Sequence, residues 1–97
     1  MRAIAFAAAL FVAAPAFADA PATRATLVDA AKAPSGRTII DGATWRCEGS
    51  ECSATGGSAQ PASRACRRVV ARFGNVSAFA YKGTELSAEE LAVCNAA

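Results

Sequence analysis

The sequence predicts an α+β domain: a small antiparallel β-sheet of hairpins packed with one amphipathic helix and a short C-terminal helix, held by two disulfides. Three observations predict it. Asp41-Gly42 separates two short runs rich in β-branched residues, a strong local hairpin signal. From Pro61 the apolar spacing changes from two to three and four. Four cysteines, Cys47, Cys52, Cys66 and Cys94, all fall downstream of an export-like N-terminus, and an even count in a short exported chain reads as a disulfide framework.

The N-terminus begins Met-Arg, runs apolar from Ala3 to Ala14, and continues Pro15, Ala16, Phe17, Ala18. A positive start, a short apolar core and small residues at Ala16 and Ala18 are the parts of a secretory signal peptide, expected over residues 1–18. The apolar run of 12 residues falls short of the about 20 that a membrane span needs. No span is therefore expected after signal cleavage. Residues 19–97 form a single small disulfide-stabilised domain in this reading, periplasmic or secreted. Loss of Arg2 takes ten Lys and Arg to nine, against eight Asp and Glu, so the mature net charge is +1. That near-neutral balance gives no global case for nucleic acid or an anionic membrane.

Taken in order, Thr23 to Val28 carries β-branched residues and reads as a strand, and Pro34-Ser35-Gly36 marks a connection. Arg37 to Ile40 is a second strand. The Asp41-Gly42 turn needs positive φ at both central positions and sets the register: Ile40 opposite Ala43, Ile39 opposite Thr44, Thr38 opposite Trp45. Alternation then puts Ile40, Ala43, Trp45 and Cys47 on the core face, with Thr44, Arg46 and Glu48 turned away. Glu48 to Glu51 is a polar four-residue loop, and Ser53 to Gln60, with Gly56-Gly57 and little apolar content, reads as a flexible loop.

Ala62, Cys66, Val69, Val70 and Phe73 share one side of a helix that starts at Pro61 or Ser63 and ends at Gly74-Asn75. Arg64, Arg67, Arg68 and Arg72 share the other side. Val76 to Tyr81 is a strand closed by a Lys82-Gly83 turn. Ser87 and Glu90 form a capping box, with Leu86 and Leu91 as a hydrophobic staple, for a last helix ending near Cys94. Such a short helix is not stable alone and needs tertiary support.

Four cysteines allow three pairings. A chain reversal between Cys47 and Cys52 would set them opposite each other at bridging distance, leaving Cys66 on the longer helix to hold Cys94 on the last one. The expected bridges are therefore Cys47–Cys52 and Cys66–Cys94. In the loop-closure view the first contributes about 2 kcal/mol and the second about 3.5 kcal/mol.

The chain has no histidine, which removes the usual neutral-pH general base and the Ser–His and Cys–His nucleophile pairs. The cysteine spacing lacks the paired knuckles of a zinc site and the two-residue gap of a redox motif. No catalytic residue, metal or cofactor is expected. Gly56-Gly57-Ser58 is not a phosphate loop, Ser50 has no adjacent base, and Glu48 with Glu51 falls short of a calcium site. Trp45 belongs to the core. The concentrated charge is the arginine face of Arg64, Arg67, Arg68 and Arg72, which reads as the solvated side of an amphipathic helix or as a surface for an anionic partner. No aromatic residue interleaves with these arginines, as a single-stranded nucleic acid platform would require.

Gly36-Arg37, Trp45-Arg46-Cys47-Glu48-Gly49 with Cys52, Pro61 with Cys66, Gly74 with Phe79, and Leu86 with Leu91 and Cys94-Asn95 together resemble a family of small exported four-cysteine alphaproteobacterial proteins of unknown function. The resemblance implies export and the four-cysteine framework and supplies no catalytic residue. Two function classes follow from the residues: a non-catalytic module that binds a cell-envelope component or protein, and a small periplasmic enzyme inhibitor or envelope enzyme acting through the Glu48–Glu51 loop.

Overall fold

A computed structural model of the chain describes residues 21–96. The expected signal peptide and its cut after Ala18 lie outside these residues. The elements follow as β1 (Thr23–Leu27), β2 (Arg37–Ile40), β3 (Ala43–Glu48), β4 (Glu51–Gly56), α1 (Ala62–Phe73), β5 (Val76–Tyr81), β6 (Thr84–Glu85) and α2 (Ala88–Ala96). The six strands form one sheet in the order β2-β3-β4-β1-β5-β6, and every pairing is antiparallel. This is the α+β class the sequence predicts.

The β2–β3 hairpin has the expected register, Ile40 opposite Ala43 and Thr38 opposite Trp45. Its turn residues take φ of 49° at Asp41 and 83° at Gly42. Lys82 and Gly83 repeat the device at 49° and 92°, and so close β5 onto β6. The β3–β4 turn is tighter than the four-residue loop expected. Glu48 and Glu51 are already opposed in the ladder, and the reversal falls on Gly49 and Ser50, with Gly49 at φ 63°.

One expectation is corrected. Ser53 to Gln60 is not a flexible loop: its first half continues β4, an interior strand between β3 and β1. The reason for its weak apolar signal lies in its neighbours. Trp45 on β3 and Phe79 on β5 stand three strand spacings apart, about 14 Å at the backbone. Yet their rings stack with centroids 6.2 Å apart. The two rings lean toward each other over the small residues between them, Ala54 and Cys52 on β4 and Ala25 on β1, all buried. Larger side chains there would occupy the space of the rings. Phe73 of α1 meets Trp45 edge-on at 6.2 Å and closes the aromatic cluster, adding to plain area burial.

Both bridges form as expected. Cys47 and Cys52 are directly opposed, with Cα atoms 4.0 Å apart. Cys66 and Cys94 join α1 to α2 across a Cα separation of 6.1 Å. The capping box of α2 is complete: Ser87 N–H donates to Glu90 Oε1 at 2.8 Å, and Glu90 N–H donates to Ser87 Oγ at 3.2 Å. Asn95 adds a second tether for this helix. Its Oδ1 accepts from Val76 N–H at 2.9 Å and its Nδ2 donates to Val76 O at 2.8 Å. The side-chain amide thus takes the place of a strand residue beside the start of β5.

The helices cover one face of the sheet, where Leu27, Trp45, Phe79, Tyr81 and the apolar side of α1 are buried. The opposite face presents Arg24, Thr26, Arg37, Thr44, Arg46, Glu48, Glu51 and Ser53, none of them buried. Among the described residues no helix is long and apolar enough to cross a membrane.

Candidate functional site

Two surfaces concentrate charge. The first is the outer side of α1. Helical periodicity buries Ala65, Cys66, Val69 and Phe73 and leaves Arg64, Arg67, Arg68 and Arg72 exposed. These four do not act alike. Arg68 is committed internally: Nε donates to Asp41 Oδ2 at 3.0 Å and Nη2 to Asp41 Oδ1 at 3.1 Å, a bidentate pair with the β2–β3 turn. Hydrogen bonding from Arg68 holds the Asp41 carboxyl below its ordinary 3.8, against an opposing effect of burial and with help from the charges of Arg68 and Arg64. The same pair raises the Arg68 guanidinium. Arg64, Arg67 and Arg72 have no carboxylate within 4.0 Å among the described residues.

The Asp41–Arg68 pair ties α1 to the β2–β3 turn, and a groove of 330 Å³ lies beside Arg68. It is lined by Ile40, Ala71, Arg67, Arg68 and Arg72. A lining of two apolar residues and three arginines suits a ligand that carries apolar bulk next to negative charge. The arginines were legible from periodicity alone. The loss of Arg68 to Asp41 was not, because the pair spans residues 41 and 68 and needs the tertiary fold.

The second surface is the sheet face that no described helix covers. Register sets Arg37 opposite Arg46, Arg46 opposite Ser53, and Ser53 opposite Arg24. Two residue pairs along, on the same face, Glu48 and Glu51 oppose each other. Like charges directly opposed across strands are destabilising. Sequence reasoning singled out only the two glutamates here. The Arg37–Arg46 opposition follows from extending the Asp41-Gly42 register by three residues, whereas Arg24 joins the row only because β1 inserts between β4 and β5.

The remaining candidates fall into the framework. Trp45 is 1% exposed and belongs to the core, as expected. All four cysteines are bridged, so none is a free thiol. Ser50 sits in the β3–β4 turn, where its carbonyl accepts from Leu27 N–H at 2.8 Å. Glu51 accepts from Thr26 Oγ1 at 3.2 Å. Among the described residues no group of three or more His, Cys, Asp or Glu comes together in a way that could hold a metal ion.

No curated protein and no solved structure matches the chain. One family model does, a family of unknown function (DUF8200), over residues 5–96. The match takes in both hairpins of the β2–β4 meander, the arginine helix and all four bridged cysteines, and at that extent the chain belongs to the DUF8200 family.

Proposed function

We propose that the protein is an exported, periplasmic or secreted module, stabilised by two disulfides, that binds an acidic cell-envelope component or protein through the arginine face of α1 and performs no catalysis. The observation that carries this reading is the division of labour among the arginines. Arg68 is paired with Asp41 and ties the helix to the β2–β3 turn, while Arg64, Arg67 and Arg72 stay exposed without an acidic partner among the described residues. Cations held on a preorganised helix attract an acidic partner at little ordering cost. Export is supported by the signal-like N-terminus and by the pairing of every cysteine. The absence of histidine supports a binding role over catalysis.

The test uses the oxidised mature chain as bait in an envelope extract. Arg64→Gln/Arg67→Gln/Arg72→Gln should lower capture at least about tenfold at moderate salt, with thermal stability unchanged. Equal capture by the triple variant would remove the arginine face from the account. Arg68 is left intact in this variant because its loss would also loosen the fold.

A second reading, an inhibitor of cell-wall hydrolases acting through the Glu48–Glu51 hairpin, is favoured by one observation. The Cys47–Cys52 bridge and the Ser50–Leu27 hydrogen bond both hold that hairpin end rigid, as an inhibitory loop requires. A panel of such hydrolases left fully active by the mature protein would eliminate it.

A further inference from the structure

Among the described residues, the sheet face away from the helices carries a depression of 380 Å³ lined by Pro21, Arg24, Arg46, Glu48, Glu51 and Ser53 on the solvent side. It lies on the opposite layer from α1 and is independent of the arginine helix. Within it the charges are sorted rather than alternated. Arg46 and Arg24 flank Ser53 in one cross-strand row, and Glu48 and Glu51 face each other in the next. No guanidinium in the depression lies within 4.0 Å of Glu48 or Glu51; Arg24 instead donates to Pro21 O at 2.8 Å and approaches Glu85 at 3.7 Å. Each guanidinium has five N–H donors, so both arginines keep donors for a ligand.

The strand geometry fixes the spacing of the two charged rows. They are two residues apart along β3, about 7 Å. An extended dipeptide spans about the same length between its ammonium and its carboxylate. A single amino acid is too short to reach both rows. Ser53, at the middle of the cationic row, offers a hydroxyl that can donate to a carboxylate held between two guanidiniums.

We propose that this depression is a binding site for a zwitterionic dipeptide or the equivalent two-residue zwitterion, its carboxylate on Arg24, Arg46 and Ser53 and its ammonium on Glu48 and Glu51. Such a ligand sets its ammonium between the opposed Glu48 and Glu51 carboxylates and offsets their repulsion, while its carboxylate lies between the guanidiniums that flank Ser53. Recognition in this arrangement is by charge and length.

The test titrates the isotope-labelled mature domain with alanyl-alanine and follows backbone amide shifts. Saturable shifts are expected at Arg24, Glu48 and Ser53, with a dissociation constant on the order of 1 mM. N-acetylated alanyl-alanine, alanyl-alanine amide and free alanine should each bind at least about tenfold more weakly. Arg46→Gln and Glu48→Gln should show the same loss while keeping a thermal midpoint no lower than that of the wild type, since each removes a like-charge contact. Arg64→Gln/Arg67→Gln/Arg72→Gln should bind the dipeptide normally. Shifts that do not saturate at about 20 mM, or equal binding of the N-acetylated peptide, would overturn the proposal.

Discussion

Asp41 serves two purposes in this fold, and they can be separated. Its backbone takes the positive φ of the β2–β3 turn, and its carboxylate anchors Arg68. Asn tolerates the same backbone conformation, so Asp41→Asn removes the ion pair and spares the turn. Because the folded carboxyl titrates below its ordinary 3.8, the pair adds stability that is fully present above that value and is lost as pH falls through the lower folded value. Urea midpoints measured against pH should therefore show wild type above Asp41→Asn at neutral pH, with the gap closing in strong acid. Gly57 makes a sharper residue-scale case. Its φ is 107°, and a Cβ there would collide with the Tyr81 hydroxyl, which donates its proton to Ser58 O at an O–O distance of 2.6 Å. Gly57→Ala should be more destabilising than Tyr81→Phe, which loses one hydrogen bond worth about 1 kcal/mol. Gly57→Ala/Tyr81→Phe should recover part of the loss in the same denaturation series. None of this contact was legible in the sequence, where Gly56-Gly57 looks like any flexible link; the requirement comes from a tyrosine two elements away.

At the scale of elements, local grammar predicted well wherever an element's signal lies within itself. Asp41-Gly42 carried its own register, Ser87 with Glu90 carried its own cap, and the spacing of Cys66, Val69 and Phe73 carried the buried face of α1. β4 failed that rule because its composition answers to Trp45 and Phe79 above it rather than to its own propensity. β6, two residues long, has too little sequence to signal at all. The C-terminal helix shows how local and tertiary terms combine. Its capping box starts it, and the Cys66–Cys94 bridge with the Asn95 clamp keeps it in place. Removing the bridge by Cys66→Ala/Cys94→Ala should cost about 3.5 kcal/mol, against about 2 kcal/mol for Cys47→Ala/Cys52→Ala. Asn95→Ala should cost about 1–3 kcal/mol, because it strands the N–H and carbonyl of Val76. Urea denaturation measures all three. Amide hydrogen exchange at Val76 should accelerate in Asn95→Ala before exchange in the β3–β4 ladder changes.

For the whole molecule, the sheet separates two surfaces of different character. One layer buries an aromatic cluster beneath an arginine-rich helix, and the other leaves an open polar face with sorted charges. The arginine helix was legible in the sequence because periodicity alone assigns it an outside. The sheet-face site was not, because it joins residues from β1, β3 and β4 that only the strand order brings together. Both bridges belong to the core between these surfaces and tie its elements together without lending a reactive thiol. The binding reading depends most on α1, and salt-dependent capture tests it most directly. Wild type, Arg64→Gln/Arg67→Gln/Arg72→Gln and reduced wild type are compared as baits in one envelope extract over a series of salt concentrations. The account predicts saturable capture by oxidised wild type that weakens with salt, and a loss of at least about tenfold in the folded triple variant. Capture by the triple variant equal to wild type at every salt concentration would contradict it.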